Sequence, residues 1–288
     1  MNIREPGSWK GEAQPIGVFV DAGAPDDGLR LLDIHSSETP REALDSDKIA
    51  QAGEGVCAFL DRVRWALDAY RLGEEHPRFG FDALDDEERR KLHEILGEGE
   101  VTIGLGVDPR FEVRESVLPG LWHVRVVEPD GALVQEWLEI ADVPRVVRAA
   151  AQALTRPELV VPEQAPEGSM NAMPILREVA DRMASHAPDA PNHVINFTLL
   201  PMTPVDSTLV ARVLGQVPFD SVSRGFGKCK VHLTAHRRVW GVQYFNGQGK
   251  IILDTIEIGD VPVALLAAQD DFNESALRLG EILEAYRP

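Results

Sequence analysis

Cysteine is nearly absent: Cys57 and Cys229 are the only two in 288 residues, and they lie far apart. That rules out a disulfide framework, and with no C-x-x-C pair a cysteine zinc site is not expected. Each is read as a small buried residue. Long apolar runs are missing as well. Stretches such as 262–268 fall far short of the ~20 residues that a membrane span requires. The opening Met1-Asn2-Ile3-Arg4-Glu5-Pro6-Gly7 has no apolar segment of the secretory kind. A soluble, cytoplasmic chain without membrane insertion is the expectation.

Familiar reaction motifs are also missing. G-x-x-x-x-G-K-[ST], H-E-x-x-H, G-x-S-x-G and a strand-anchored G-x-G-x-x-G do not occur. Gly104-Leu105-Gly106 lacks a third glycine and a following helix to face a phosphate, so it reads as a loop. Arg224-Gly225-Phe226-Gly227 echoes the start of an RNA-binding motif, but Lys228-Cys229-Lys230 stands where a stacking aromatic belongs. It reads as a glycine-bearing turn before a strand. The net charge of −18 argues against nucleic acid or anionic membrane as a partner and suits a basic one. The charge is uneven. Residues 1–100 hold 23 acids and 12 bases, whereas 224–238 hold five bases and no acid.

What is present is a repeat. A shift of 118 residues brings Leu96-Gly97 onto Leu214-Gly215, Trp122 onto Trp240, Gly131 onto Gly249, and Glu139-Ile140 through Val143-Pro144 onto Glu257-Ile258 through Val261-Pro262. Over 92–150 against 210–268, 13 of 59 positions are identical without a gap, where composition alone gives roughly four. The unit is domain-sized rather than a solenoid turn.

Each copy reads as helix, short strand, helix, antiparallel meander, helix. Val56, Phe59, Leu60, Val63 and Leu67 make one apolar stripe of a helix near 54–72. Its counterpart near 173–185 uses Ile175, Leu176, Val179 and Met183. Short strands are expected at 79–84 and 195–200. Asp85 with Glu88 is a capping box, and Thr203, Pro204 and Asp206 repeat the start signal. Gly97 and Gly215 are placed to end these helices in the left-handed conformation. Alternation at Trp122, Val124 and Val126, again at Trp240, Val242 and Tyr244, marks half-buried strands. Turns follow at Pro129-Asp130-Gly131 and Asn246-Gly247. Pro144 and Pro262 can each begin a closing helix. The fold class is α+β: two tandem α-β-α-meander-α units related by a pseudo-twofold axis. The divisions are an irregular arm at 1–50, unit one at 51–155, a linker at 156–171, and unit two with a C-terminal helix at 172–288.

Candidate chemistry is sparse. His232 and His236, four apart on a strand, would lie roughly 13 Å apart, too far to share an ion. They read as exposed or hydrogen-bonded. Glu136/Asp254 and Glu139/Glu257 share repeat positions and read as the polar side of half-exposed strands or as edge charges. Trp122 and Trp240 read as core. Asp85-Asp86-Glu87-Glu88 suits a helix N-terminus and offers an acidic surface to a basic peptide. No catalytic residue and no metal ligand is assigned, and no cofactor is expected.

The order Leu96-Gly97, Trp122-x-Val124, Asp130-Gly131, Glu139-Ile140-x-x-Val143-Pro144, followed by its second appearance, resembles the HupH/HyaF group of hydrogenase expression proteins. Met173-Pro174-Ile175-Leu176, Leu200-Pro201-Met202-Thr203-Pro204 and the ending Arg278 to Tyr286 are similar to that family too. The resemblance implies a non-enzymatic accessory factor in nickel-iron hydrogenase maturation. It would hold the iron-sulfur small-subunit precursor, with its twin-arginine export signal, and meet other hydrogenase accessory proteins. Asp85, Asp86, Glu87, Glu88, Arg237 and Arg238 are the partner-binding candidates. His236-Arg237-Arg238 departs from the family's pattern, which Leu118-Pro119-Gly120 keeps, so the two copies need not present equal surfaces. The rival reading is a metal or iron-sulfur cluster carrier, which requires Cys229, His232 and His236 to converge.

Overall fold

The computed structural model describes residues 49, 51–188, 190–225 and 227–285. The expected arm over 1–50, apart from Ile49, lies outside the described residues, as does Phe226. Helix α1 (Glu54–Ala69) buries the predicted stripe Val56, Phe59, Leu60, Val63 and Leu67. After β1 (Arg78–Gly80), α2 (Asp86–Leu96) starts on the full capping box. The Glu88 amide donates to Asp85 Oδ1 at 2.8 Å and the Asp85 amide to Glu88 Oε2 at 3.0 Å. The meander comprises β2 (Val101–Leu105), β3 (Arg110–Glu115), β4 (Leu121–Val127) and β5 (Leu133–Ile140), and α3 (Arg145–Ala153) follows. The chain then forms α4 (Ala172–Ser185), β6 (His193–Asn196) and α5 (Pro204–Leu214), with Thr203 as N-cap and Pro204 in the first turn. Strands β7 (Phe219–Ser223), β8 (Lys228–Leu233), β9 (Val239–Phe245) and β10 (Ile251–Ile258) precede α6 (Gln269–Ala285).

Four local expectations change. The short strands begin and end earlier than 79–84 and 195–200. Gly97 and Gly215 have positive φ (52° and 59°), but their ψ values of −156° and −174° send the chain out extended rather than into the left-handed helical basin. Gly104-Leu105 completes β2 instead of forming a loop. Glycine is needed there because the Arg110 guanidinium reaches over it to Asp220 at 3.3 Å, and a Cβ would collide with that pair. Pro144 caps α3 rather than entering it, and the segment after Pro262 makes only a 3-10 turn, Val263–Leu265.

All ten strands join one antiparallel sheet in the order β1-β5-β4-β3-β2-β7-β8-β9-β10-β6. The halves therefore do more than pack together. Strands β2 and β7 pair directly, from Val101 opposite Ser223 to Leu105 opposite Phe219. Read outward from that seam, the strand order of one half mirrors the other. Several bonds recur 118 residues on. The Val117 amide donates to Leu96 O at 2.8 Å and the Ala235 amide to Leu214 O at 2.9 Å. The Leu118 amide donates to Ser116 Oγ and the His236 amide to Thr234 Oγ1, both at 3.1 Å. Arg148 adds a tie across the seam by binding Asp142 at 2.8 Å and Asp260 at 3.0 Å.

Alternation divides the core between the two faces of the sheet. On one face, Leu121, Leu138 and Ile140 pack under α1, α2 and α6, while Val239, Ile256 and Ile258 pack under α4 and α5. On the other, Trp122, Val124, Trp240 and Val242 meet Val147 of α3 and Leu265. Both tryptophans are buried core, as predicted. Helix α6, grouped by sequence with the second copy, lies on the first half: Phe272, Ala276, Leu279 and Leu283 pack with the stripe of α1.

Candidate functional site

Where α2 crosses β4 and β5, two imidazoles from two elements converge on one carboxylate oxygen of a third. Alternation along β4 turns His123 to the helix-bearing face with Leu121, and along β5 it turns Glu136 there with Leu138. His93, in the last turn of α2, hangs over them. His123 Nε2 lies 2.9 Å from Glu136 Oε2, and His93 Nε2 lies 3.3 Å from the same atom. The imidazole centroids are 4.7 Å apart. Buried Phe81 presents ring contacts to both, at 5.6 Å to His93 and 5.7 Å to His123, which fixes their planes. The cluster edges a cleft of about 530 Å³ lined by Asp86, Arg89, Arg90, His93, Glu94, Leu133 and Glu136.

Burial pushes the Glu136 carboxyl upward, but the hydrogen bond from His123 and the close approach of the His93 ring outweigh it and hold the group well below the usual carboxylate range. Burial lowers the His123 pKa against the pull of Glu136. Two imidazole nitrogens facing one carboxylate oxygen are a donor set suited to a metal ion. Neighbouring cations are engaged elsewhere: Arg89 Nε donates to Leu84 O at 3.1 Å, Arg90 pairs with Glu94 at 2.7 Å, and Arg125 pairs with Glu112 at 2.9 Å.

No sequence motif announces this cluster, since its members lie 30 and 13 residues apart in separate elements. One signal was legible. The second copy has Ala211 and Gly241 at the two histidine positions and keeps only the acid, as Asp254. Histidines private to one copy are not required by the shared core.

The predicted partner-binding residues fall in two separate places. Asp85, Asp86 and Glu87 are exposed at the start of α2, beside the cleft. Asp85 and Glu88 serve the cap, and Glu87 pairs with Lys91 at 3.0 Å. Arg237 and Arg238 belong to the β8–β9 turn in the other half, where both are half-buried. Arg237 Nη2 donates to Gln152 O at 3.2 Å, and Arg238 Nη1 to His186 O at 3.4 Å. The structure does not bring the acidic and basic groups together.

Nor do Cys229, His232 and His236 converge. Cys229 faces the core with Val231 and Leu233, whereas His232 points to the opposite face, its ring over Gly241. Enclosure drives the His232 pKa down to about 3. The His236 ring is hydrogen-bonded, with Glu158 O at 2.9 Å and Val213 O at 3.0 Å.

The repeated acids are a correction. Glu139 and Asp254 are not half-exposed but 0% and 2% exposed, and neither β5 nor β10 is an edge, because β1 and β6 cover them. Glu139 takes His76 Nδ1 at 2.9 Å, Arg78 Nε at 3.0 Å, Trp137 Nε1 at 3.0 Å and the Arg145 amide at 2.8 Å. Burial alone would raise its pKa, but these partners lower it. This is a structural knot that anchors the start of α3.

Comparison with known proteins places these features in a family. The model of the HupH hydrogenase expression protein C-terminal conserved region matches twice, over residues 57–162 and 169–286. The hydrogenase expression/formation protein HupQ of Azotobacter chroococcum mcd 1 is 40% identical over 282 residues, covering 94% of this chain and 96% of its own. HoxQ of Azotobacter vinelandii, also a hydrogenase expression/formation protein, is 42% identical over 231 residues, covering 79% and 81%. A solved structure, hydrogenase expression protein HupH from Thiobacillus denitrificans ATCC 25259, is 27% identical with a TM-score of 0.36, covering 41% of this chain and 96% of its own.

Proposed function

The chain belongs to the HupH hydrogenase expression protein family, and from that premise we propose that it is a non-enzymatic accessory protein of nickel-iron hydrogenase maturation. It holds the iron-sulfur small-subunit precursor before export and assembly. One observation carries the reading: a protein named for hydrogenase expression and formation matches over 94% of this chain and 96% of its own.

The mechanism is binding and release. Two copies of one unit, related by an approximate twofold axis at the β2–β7 seam, make a broad rigid platform. The mirrored strand order and the recurring bonds support that symmetry. The platform's surfaces differ. Where the first copy has Asp85-Asp86-Glu87-Glu88, the second has Thr203-Pro204-Val205-Asp206. Only the first offers an acidic helix start, with the exposed side chains of Leu133 and Val134 on neighbouring β5. That combination suits a basic, partly apolar export segment: charge steers the encounter, and apolar contact holds it.

A pull-down with this chain as bait, in cells expressing a hydrogenase operon, tests the proposal. Enrichment of the small-subunit precursor over an unrelated protein of equal charge is expected. Equal recovery by both baits would sink the assignment.

A further inference from the structure

We propose that His93, His123 and Glu136 form a binding site for one divalent transition-metal ion of the zinc, cobalt or nickel type. The three ligand atoms lie within 4.8 Å of one another. In a tetrahedral site with bonds of ~2.0–2.2 Å, ligand atoms sit roughly 3.3–3.5 Å apart. The observed 3.3 Å and 2.9 Å from the histidine nitrogens to Glu136 Oε2 need to widen by only a few tenths of an ångström. Two imidazoles and one carboxylate select first-row transition ions over calcium or magnesium.

A simple hydrogen-bonded cluster explains only part of the arrangement. It satisfies His123, but His93 Nε2, closed to solvent and 3.3 Å from the shared oxygen, falls outside hydrogen-bond geometry there. An ion between the three groups would engage it. The other histidine–glutamate pairs among the described residues are built differently. Glu139 is already saturated by four donors, and Glu178 meets the single ring of His193 at 2.7 Å near the surface. Among the described residues, only Glu136 gathers two imidazoles.

The supporting groups also fit. Phe81 sets both rings, and the donors come from α2, β4 and β5 rather than from loops. The adjoining cleft leaves a fourth position open to water or to a partner's side chain. With Ala211 and Gly241 at the equivalent places, the second half supplies no counterpart, so the stoichiometry is one ion per chain. This inference rests on the cluster alone and stands whether or not the small-subunit precursor is the partner.

The test uses the full chain, stripped of metal and titrated with Zn²⁺, Co²⁺ or Ni²⁺ alone by calorimetry, with the visible spectrum of the cobalt form as a second readout. One saturable site and cobalt ligand-field bands are expected. His93→Ala, which removes a partly exposed side chain, and Glu136→Gln should each weaken binding at least tenfold and lose the bands. His193→Ala should bind like the wild type. Circular dichroism confirms that the variants are folded, and metal should raise the melting temperature of the wild type but not of His93→Ala. Failure of the wild type to saturate with any of the three ions would overturn the site. So would binding by His93→Ala and Glu136→Gln within twofold of the wild type, which would put the ion elsewhere.

Discussion

Ile103 and Ser221 stand directly opposite one another on β2 and β7, and they are separated by 118 residues, the interval of the sequence repeat. A position thus pairs with its own counterpart, and the flanking pairs run symmetrically outward from it. A two-residue slip at this seam would preserve the pleat but misplace Arg110 against Asp220 and Arg148 against Asp260, so side chains on both faces help hold the register.

Asp206 should be the costliest acid to remove. Its Oδ1 accepts from Ser169 Oγ at 2.7 Å and from the amides of Met170, Asn171 and Ala172 at 2.8, 3.0 and 2.9 Å. Its Oδ2 accepts from the Thr203 amide at 3.0 Å and from Thr203 Oγ1 at 2.9 Å. Burial raises its pKa, but these donors win and hold it far below the normal range. Asp206→Ala orphans the starts of α4 and α5 together and should cost about 3–5 kcal/mol in urea denaturation. Because the folded pKa is depressed, the stability from this group is present above about pH 4 and fades as pH falls further. A loss under 1 kcal/mol at pH 7 would contradict this account.

Glu115 predicts the opposite pH trend. It is 6% exposed, and burial pushes its pKa up to about 7, despite the Gly120 amide donating to it at 3.2 Å. The folded chain keeps this proton where the unfolded chain has released it, so stability is lost as pH rises from about 4.5 through 7. Glu115→Gln removes that cost. Its advantage over the wild type should be absent near pH 4 and reach at most roughly 3 kcal/mol at pH 8. Parallel pH–stability curves for the two proteins would refute it.

Gly120 and Arg238 occupy the same repeat position, with φ of 83° and 67°. A Cβ on Gly120 would drive into the Phe272 ring. Gly120→Ala therefore combines backbone strain with a clash and should cost roughly 2–4 kcal/mol. Arg238→Gly relieves the strain at the price of a looser unfolded chain, and thermal melting should show a change within about 1 kcal/mol.

Phe272 is the anchor of α6 on the first half, with its ring 4.8 Å from that of Tyr70. Phe272→Ala should cost about 3–5 kcal/mol. Hydrogen exchange should quicken first in α1 rather than in α4 or α5. Faster exchange confined to the second half would contradict the packing.

Charge reversal separates docking from capping. Asp86→Lys with Glu87→Lys leaves the Asp85–Glu88 box in place. It should leave melting within about 1 kcal/mol of the wild type while lowering recovery of the small-subunit precursor several-fold at low salt. Undiminished recovery would remove the acidic helix start from the interface.

Much of this architecture is legible as local chemistry. The caps at Asp85 and Thr203, the alternation around Trp122 and Trp240, and the stripe of α1 each involve residues within a turn or two of one another. The pairing of β2 with β7 is different. Nothing in 101–105 names 219–223 as its neighbour. The stripe of α6 declares an apolar face without declaring which sheet half receives it. Glu139 misleads for a related reason: a strand carboxylate reads as solvent-facing, and the donors that make burial tolerable come from His76, Arg78, Trp137 and Arg145. His93, His123 and Glu136 were hidden in the same way, since their convergence depends on how α2 lies over the sheet.

The crossing of α6 also fixes an order of events during biosynthesis. A ribosome delivers α1 (Glu54–Ala69) well before Gln269–Ala285, the helix that covers its apolar stripe. The first half stays unsealed until α6 emerges. A stalled or clipped product lacking 269–285 would display Phe59, Leu60 and Tyr70 to proteolytic surveillance.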